Sequence, residues 1–268
     1  MKYTNLVILL SFIPALLCSS KRHGGPAVQT EKTMVQTIAK DDSSLFRDRN
    51  YLLGRIEYSK YPDVFTRMEG SYTTLKDAYL RTDALKAFLS MRDSALKDGI
   101  TLTIISAARN FDRQKQIWEA KWNGERMVEG KNLARDVADP QKRALLILLY
   151  SSMPGTSRHH WGTDIDINNL EDAYFLSGRG KKEYEWLQKN APHFGFCQPY
   201  TAKGTQRPHG YEEEKWHWTW LPASTICLEN YSELVKPEDI QGFKGAETAI
   251  PLDVINKYVL GIAPACIP

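Results

Sequence analysis

Two short segments of this sequence gather metal-binding and acid–base side chains. The first is Ser157-Arg158-His159-His160-Trp161-Gly162-Thr163-Asp164-Ile165-Asp166, and the second is Glu214-Lys215-Trp216-His217-Trp218. A catalytic zinc site takes three protein ligands, usually His and carboxylate, and leaves a fourth position open for chemistry. His159, Asp166 and His217 offer two neutral imidazoles and one carboxylate, a set that keeps a divalent ion a good Lewis acid. Glu214 precedes His217 by one helical-turn's worth of residues and can face the same place as general base and acid. A lone His beside a carboxylate is more often a surface pair or a satisfied core residue, so neither segment is specific alone. Their combination is. The HExxH helix is missing from the sequence, so these ligands must sit on strands and loops.

Side chains this far apart in the chain need elements that turn them to one side. Asp164-Ile165-Asp166-Ile167 alternates polar and apolar residues, and Glu214–Trp220 alternates around aromatics; both spacings predict strands. With period-two geometry, Asp164 and Asp166 share the site face while Ile165 and Ile167 enter the core. His217 then faces the site, with Trp216 and Trp218 on the opposite side. Glu214 lies an odd number of residues from His217, so the backbone has to bend near Lys215 for it to reach the site. Around these strands, apolar spacing predicts a long helix from Thr74 to about Lys97, closed by Asp98-Gly99. A strand is expected over Thr101–Ser106, and helices over Asp112–Trp122, Gln141–Tyr150 (started by Asp139-Pro140) and Lys181–Lys189. Helix-like stretches close the chain near Ser232–Gln241 and Leu252–Leu260. Few, interleaved elements without a βαβ rhythm indicate an α+β fold.

The order Ser157-x-His159-x-x-Gly162-x-Asp164-x-Asp166, then Glu214-x-Trp216-His217, resembles the signature of the VanY-type zinc D-alanyl-D-alanine carboxypeptidases, which group with lysostaphin and Hedgehog-like folds. An upstream stretch, Ser106-Ala107-Ala108-Arg109-Asn110-Phe111-Asp112-Arg113-Gln114, is similar to that family's Ser-Gly-Tyr-Arg-Ser-x-x-x-Gln element. The similarity runs from about Tyr51 to Trp220. It implies a small antiparallel sheet bearing a zinc site and flanked by helices. It also implies zinc held by His159, Asp166 and His217, Glu214 as general base and acid, and Arg109 on the oxyanion or the substrate carboxylate. Gln114 and Ser157 would line the substrate groove. A planar, always-charged guanidinium suits the place given to Arg109. The motif spacing selects His159 over its neighbour His160.

Departures from the pattern are informative. Asp164 stands where a small residue is usual, which makes it either a partner orienting a ligand His or a recogniser of a cationic substrate group. Ala107-Ala108 replaces Gly-Tyr and removes an aromatic from the pocket.

The implied reaction is removal of the terminal D-alanine from peptidoglycan stem peptides. Within the same fold the alternatives are an L,D-carboxypeptidase, a D,D-dipeptidase, an endopeptidase, or a non-catalytic zinc-containing wall-binding domain. A structural zinc site has no need of Glu214 or Arg109. A serine hydrolase is disfavoured because no Gly-x-Ser-x-Gly elbow surrounds Ser157. A thiol hydrolase is disfavoured by the apolar company of Cys197.

Composition bounds the rest. With 42% apolar and 25% charged residues, the chain can bury a core. Its 35 Lys+Arg against 32 Asp+Glu give +3, dispersed along the sequence, which argues against nucleic acid as a partner. Met1–Leu17 carries one early charge and an apolar run too short to span a bilayer, followed by small residues. This is the layout of a secretory signal over residues 1–20. Cys18 could alternatively carry a lipid anchor, the one membrane attachment expected. The protein is therefore expected to be exported, to the periplasm or cell envelope. Residues 21–46 read as a polar linker, 47–229 as the zinc peptidase domain and 230–268 as a C-terminal helical extension. After removal of the signal, Cys197, Cys227 and Cys266 remain, and the sequence does not choose a pair among them. The polar segment Lys203–Tyr211 is expected to be a loop over the groove.

Overall fold

A computed structural model describes residues 43–267. The expected signal segment, Cys18 and most of the expected linker lie outside the described residues. The chain enters through two one-turn helices, Ser43–Phe46 and Arg49–Leu52, the second capped by Asp48, whose side chain accepts from Asn50 N at 2.8 Å. Leu45 and Phe46 are already buried, so the core takes up the chain earlier than the polar composition suggested.

Two strands follow, β1 (Phe65–Arg67) and β2 (Tyr79–Arg81), paired antiparallel. Helix α1 (Thr82–Lys97) leaves directly from β2 and buries Ala84, Leu85, Phe88, Met91 and Ala95. It starts eight residues later than the apolar spacing predicts. Leu75, Ala78 and Tyr79 fit a helical period, but this part of the chain is taken by β pairing: Thr73 bridges Ile104 and Tyr79–Arg81 pair with β1. Tertiary pairing has overridden local periodicity there.

Strand β3 (Ile104–Ser106) leads through Ala107–Asn110 into helix α2 (Phe111–Trp122). The Asn110 side chain caps α2 by accepting from Arg113 N at 2.9 Å. Helix α3 (Pro140–Ile147) begins as predicted, with Asp139 accepting from the amides of Gln141 and Lys142 and Pro140 in the first turn. Strand β4 (Asp164–Ile167), helix α4 (Gly178–Asn190), strand β5 (Phe196–Cys197), strand β6 (His217–Trp220) and helix α5 (Leu221–Leu234) complete the regular elements. The remainder is a one-turn α-helix at Leu133–Asp136, short 3₁₀ turns and one π turn at Ile255–Val259. The predicted boundary between residues 229 and 230 falls inside α5.

The central sheet has the order β3-β4-β6-β5, with every pair antiparallel. Its two inner strands are the two motif strands. Asp166 lies opposite His217 and Asp164 opposite Thr219, so one face carries the polar set. On the other face Ile165, Ile167, Trp218 and Trp220 are all buried. Each such apolar side chain contributes roughly 1.5–3 kcal/mol relative to exposure, so a one-residue slip of register would be strongly opposed. The residues after α5 join the same core through Val235, Ile240, Phe243, Leu252, Val254 and Val259. Cys197 and Cys266 form a disulfide that ties this last segment to β5, and Cys227 is a buried free thiol in α5.

Candidate metal centre

His159, Asp166 and His217 converge, each offering a ligand atom, with these atoms all within 4.8 Å of one another. Asp166 and His217 are set by the β4–β6 register. His159 comes from a 3₁₀ turn, Arg158–Trp161, which ends at Gly162 with φ of +65°. A Cβ at Gly162 would come within 2.6 Å of the Phe65 ring, so this turn needs glycine both for its conformation and for its packing.

The hydrogen bonds identify which atoms are free. His159 Nδ1 lies 2.9 Å from the carbonyl oxygen of Ala107, to which it must donate; the neutral ring then presents a bare Nε2. That nitrogen faces Asp166 Oδ1 at 3.5 Å, and among the described residues Asp166 Oδ1 is buried without a hydrogen-bond partner. Two lone pairs aimed at each other in a buried site are repulsive, and a cation between them would relieve that. His217 completes the set with Nδ1 at 3.1 Å from the same oxygen. Burial, seconded by Arg109, lowers the pKa of His159 and keeps it neutral. Burial also opposes charge on His217, but Asp164, Asp166 and Glu214 overcome it and raise that pKa well above the ordinary range. The carboxylates thus demand positive charge at Nδ1, which a divalent cation satisfies in place of a proton. The residues present fit a zinc ion.

Asp164 lies behind His217. Its Oδ2 is 2.9 Å from His217 Nε2 and accepts from Arg158 Nε at 3.1 Å; its Oδ1 accepts from the hydroxyls of Thr163 and Thr219 at 2.6 and 2.8 Å. Burial disfavours its ionisation, but Arg158 and His217 outweigh that and hold the carboxyl well below the usual range. With both oxygens committed inward, Asp164 orients His217 and has nothing left to offer a substrate cation. Arg158, given no role by the sequence reading, is the buried counter-charge that makes this possible, and it also donates to Thr219 at 2.9 Å.

His160 is turned away from this cluster and bonded elsewhere. Its Nδ1 donates to the Arg109 carbonyl at 2.6 Å and its Nε2 accepts from Gly155 N at 3.0 Å. Burial pushes its pKa down to about 3, so it is a neutral structural residue. Gly54 makes room for it; a Cβ there would meet the ring at 2.4 Å.

Glu214 reaches the site because the chain bends where the alternation argument demanded. Residues 215 and 216 form a turn, His217 N donates to Glu214 O at 3.2 Å, and the strand begins only at His217. Glu214 Oε2 stands 3.4 Å from His217 Nδ1. Burial raises its pKa, partly countered by His217. Its backbone is held by Tyr200 O at 2.9 Å and by Gln198 Nε2 at 3.2 Å. The same turn corrects one expectation: Trp216 lies before the strand and lines the cleft instead of pointing away from it.

These groups sit in a cleft of about 1000 Å³ that Arg109, Gln114 and Ser157 also line. Among the described residues Arg109 Nε, Gln114 Oε1 and Ser157 Oγ are buried without hydrogen-bond partners, and Gln114 Nε2 donates to Ser152 O at 2.8 Å. Arg109 is fixed through its backbone, N donating to His159 O at 3.1 Å. The Lys203–Tyr211 segment ends at the cleft with Tyr211, and buried Arg207 binds it internally through the carbonyls of Thr201, His209 and Tyr211. Cleft residues given no role by the sequence reading include Tyr200, whose ring packs at a tilt of 52° on His217 with centroids 4.7 Å apart, and Lys121 on α2. For Lys121 a signal existed, since it follows Gln114 by two helical turns and shares its face.

Comparison with known proteins gives a consistent set. A family model described as VanY, D-alanyl-D-alanine carboxypeptidase, matches residues 77–223. A putative carboxypeptidase, YodJ, of Bacillus subtilis is 28% identical over 176 residues, covering 60% of this chain and 56% of the relative. A D-alanyl-D-alanine carboxypeptidase of Enterococcus faecalis is 29% identical over 147 residues, 52% of this chain and 50% of the relative. The chain thus matches about half the length of these curated relatives. Among solved structures, the LdcB LD-carboxypeptidase aligns at 23% identity and TM-score 0.45, over 68% of this chain and 77% of that one. VanYB in complex with D-alanine-D-alanine aligns at 22% and 0.44, over 63% and 87%.

Proposed function

Because the chain belongs to the VanY D-alanyl-D-alanine carboxypeptidase family, a family of peptidoglycan-acting peptidases, we propose that it is a zinc-dependent D,D-carboxypeptidase that removes the terminal D-alanine of stem peptides outside the cytoplasmic membrane. The observation that carries this reading is the facing pair of bare lone pairs, His159 Nε2 and Asp166 Oδ1, with His217 Nδ1 and Glu214 Oε2 beside them. His159, Asp166 and His217 would hold the zinc. The chemistry that zinc supplies when bound is Lewis-acid polarisation of a carbonyl and activation of water.

The chain's own groups do the rest. Glu214 takes a proton from the attacking water at its carboxylate and returns it to the leaving amine nitrogen, breaking the C–N bond. Its buried position makes the protonated form accessible midway. Arg109 sets a fixed positive charge beside the reacting carbonyl, where negative charge develops. Asp164, with Arg158 behind it, keeps His217 in the tautomer that frees Nδ1. Among the described residues no helix is long and apolar enough to cross a membrane.

The test is digestion of purified muropeptides with mass analysis of the products. Loss of one alanine from pentapeptides supports the proposal; loss of one alanine from tetrapeptides only would reassign it as an L,D-carboxypeptidase. Glu214→Ala should retain zinc and lose turnover by about 10²–10⁴. Full activity in that variant would remove the proposed base.

A further inference from the structure

Lys121 is a half-buried ammonium with no carboxylate to pair with. It projects into the cleft from the last turn of α2, and among the described residues its one hydrogen bond goes to the Ser151 hydroxyl. No acidic side chain stands within ion-pair distance of it among the described residues. The charged groups that face it are Arg126, Arg109 and Glu214, so two of the three are themselves cations. A hydrogen bond to a serine does not require a charge, and burying an unpaired one is costly. The C-terminal end of a helix favours a cation, but that effect does not call for burial.

The position says which anion would complete it. Lys121 shares the inner face of α2 with Gln114, which is bonded to Ser152, while Lys121 is bonded to the adjacent Ser151. Both side chains therefore look onto one strip of cleft wall, within electrostatic reach of Glu214. Glu214 is the group that protonates the leaving amine in the function proposed above, on which this inference rests. On that reading the leaving residue would lie in the cleft beside Glu214, whose electrostatic reach includes Lys121, and that residue carries one fixed charge, its terminal carboxylate.

We propose that Lys121 binds the C-terminal carboxylate of the substrate's leaving residue and is the specificity determinant that makes the enzyme cut a terminal residue and not an internal bond. The interaction is a point-charge pair reinforced by Ser151, which holds the ammonium in place before substrate arrives.

Binding tested apart from turnover decides the matter. In zinc-loaded Glu214→Ala protein, calorimetry would compare a stem pentapeptide ending in D-alanyl-D-alanine as free acid with the same peptide as C-terminal amide. All internal carboxylates are common to the two, so only the terminal one is read. The free acid should bind at least tenfold more tightly. Adding Lys121→Gln or Lys121→Met should bring the two affinities within about threefold by weakening the acid, and Lys121→Arg should restore the preference. Equal weakening of acid and amide, or no weakening, would overturn the assignment and point to an internal carboxylate or to a packing role. Thermal melting of each variant distinguishes misfolding, and the Gln variant keeps a donor for Ser151 should the Met variant fail to fold. If neither peptide binds while Lys121 is intact, the peptide-substrate reading itself fails and this assignment falls with it.

Discussion

Asp164 is the residue whose role most depends on where it sits. In sequence it could serve a substrate or a ligand; in the folded chain its four contacts, from Arg158, Thr163, His217 and Thr219, leave it only the second task. Asp164→Asn keeps the shape but removes the charge that fixes His217 Nε2 as donor. Zinc affinity, measured by competition with a chelator, should fall about 10–100-fold. An unchanged affinity would mean that packing alone orients the ring. Lys121 supplies a pH dependence of definite sign. Burial, then Arg126 and Arg109, bring its pKa from 10.5 down to about 8, with Glu214 pulling the other way. Below about pH 8 it is charged and can hold a carboxylate; above it the neutral amine cannot. KM for a free-acid peptide should therefore rise above pH 8 with kcat less affected, and Lys121→Arg should remain flat to higher pH. A wild-type KM that is level from pH 7 to 9.5 would contradict this.

At the scale of elements, the site is a property of two adjacent strands and the turns that enter them. The β4–β6 register brings Asp166 opposite His217, the 3₁₀ turn ending at Gly162 delivers His159, and the turn at residues 215 and 216 swings Glu214 inward. Gly162→Ala probes the entry to β4. An L-residue in this left-handed conformation costs about 1–2 kcal/mol, and contact with the Phe65 ring adds to it. We expect at least about 2 kcal/mol lost in urea unfolding, with weakened zinc binding because His159 and Asp164 flank the turn. A neutral effect would show that the turn can relax without glycine. The long helix shows the reverse case: Leu75, Ala78 and Tyr79 have helical spacing yet serve β pairing, since Thr73 and Tyr79 have strand partners distant in the chain.

For the molecule as a whole, the segment after α5 is structural support for the site. Ala263 N donates to Pro199 O at 2.8 Å, Tyr258 packs on Tyr211 with ring centroids 5.2 Å apart, and the Cys197–Cys266 disulfide closes the arrangement. Between them these contacts hold residues 197–211, whose Gln198 and Tyr200 in turn hold the Glu214 backbone. The disulfide spans 69 residues of sequence, and loop-closure entropy assigns such a crosslink about 4 kcal/mol at most. The double substitution Cys197→Ser with Cys266→Ser should lower stability by about 2–4 kcal/mol in denaturant unfolding. No loss would mean that packing alone retains the C-terminal segment.

The sequence by itself determined which side chains are candidates for the chemistry: the candidate ligand types, their spacing, the alternation that turns Asp164 and Asp166 to one face, and the bend that Glu214 needs near Lys215. These are local consequences of period-two geometry and of donor chemistry, so they can be read without a fold. Only the tertiary structure decided which ring nitrogens of the His residues are free, which cysteines pair, that Asp164 faces inward on Arg158, and that Lys121 looks into the cleft without a counter-charge among the described residues. Each of these depends on atoms brought together from distant parts of the chain, where burial and hydrogen-bond partners, which no local pattern encodes, set the role of a side chain.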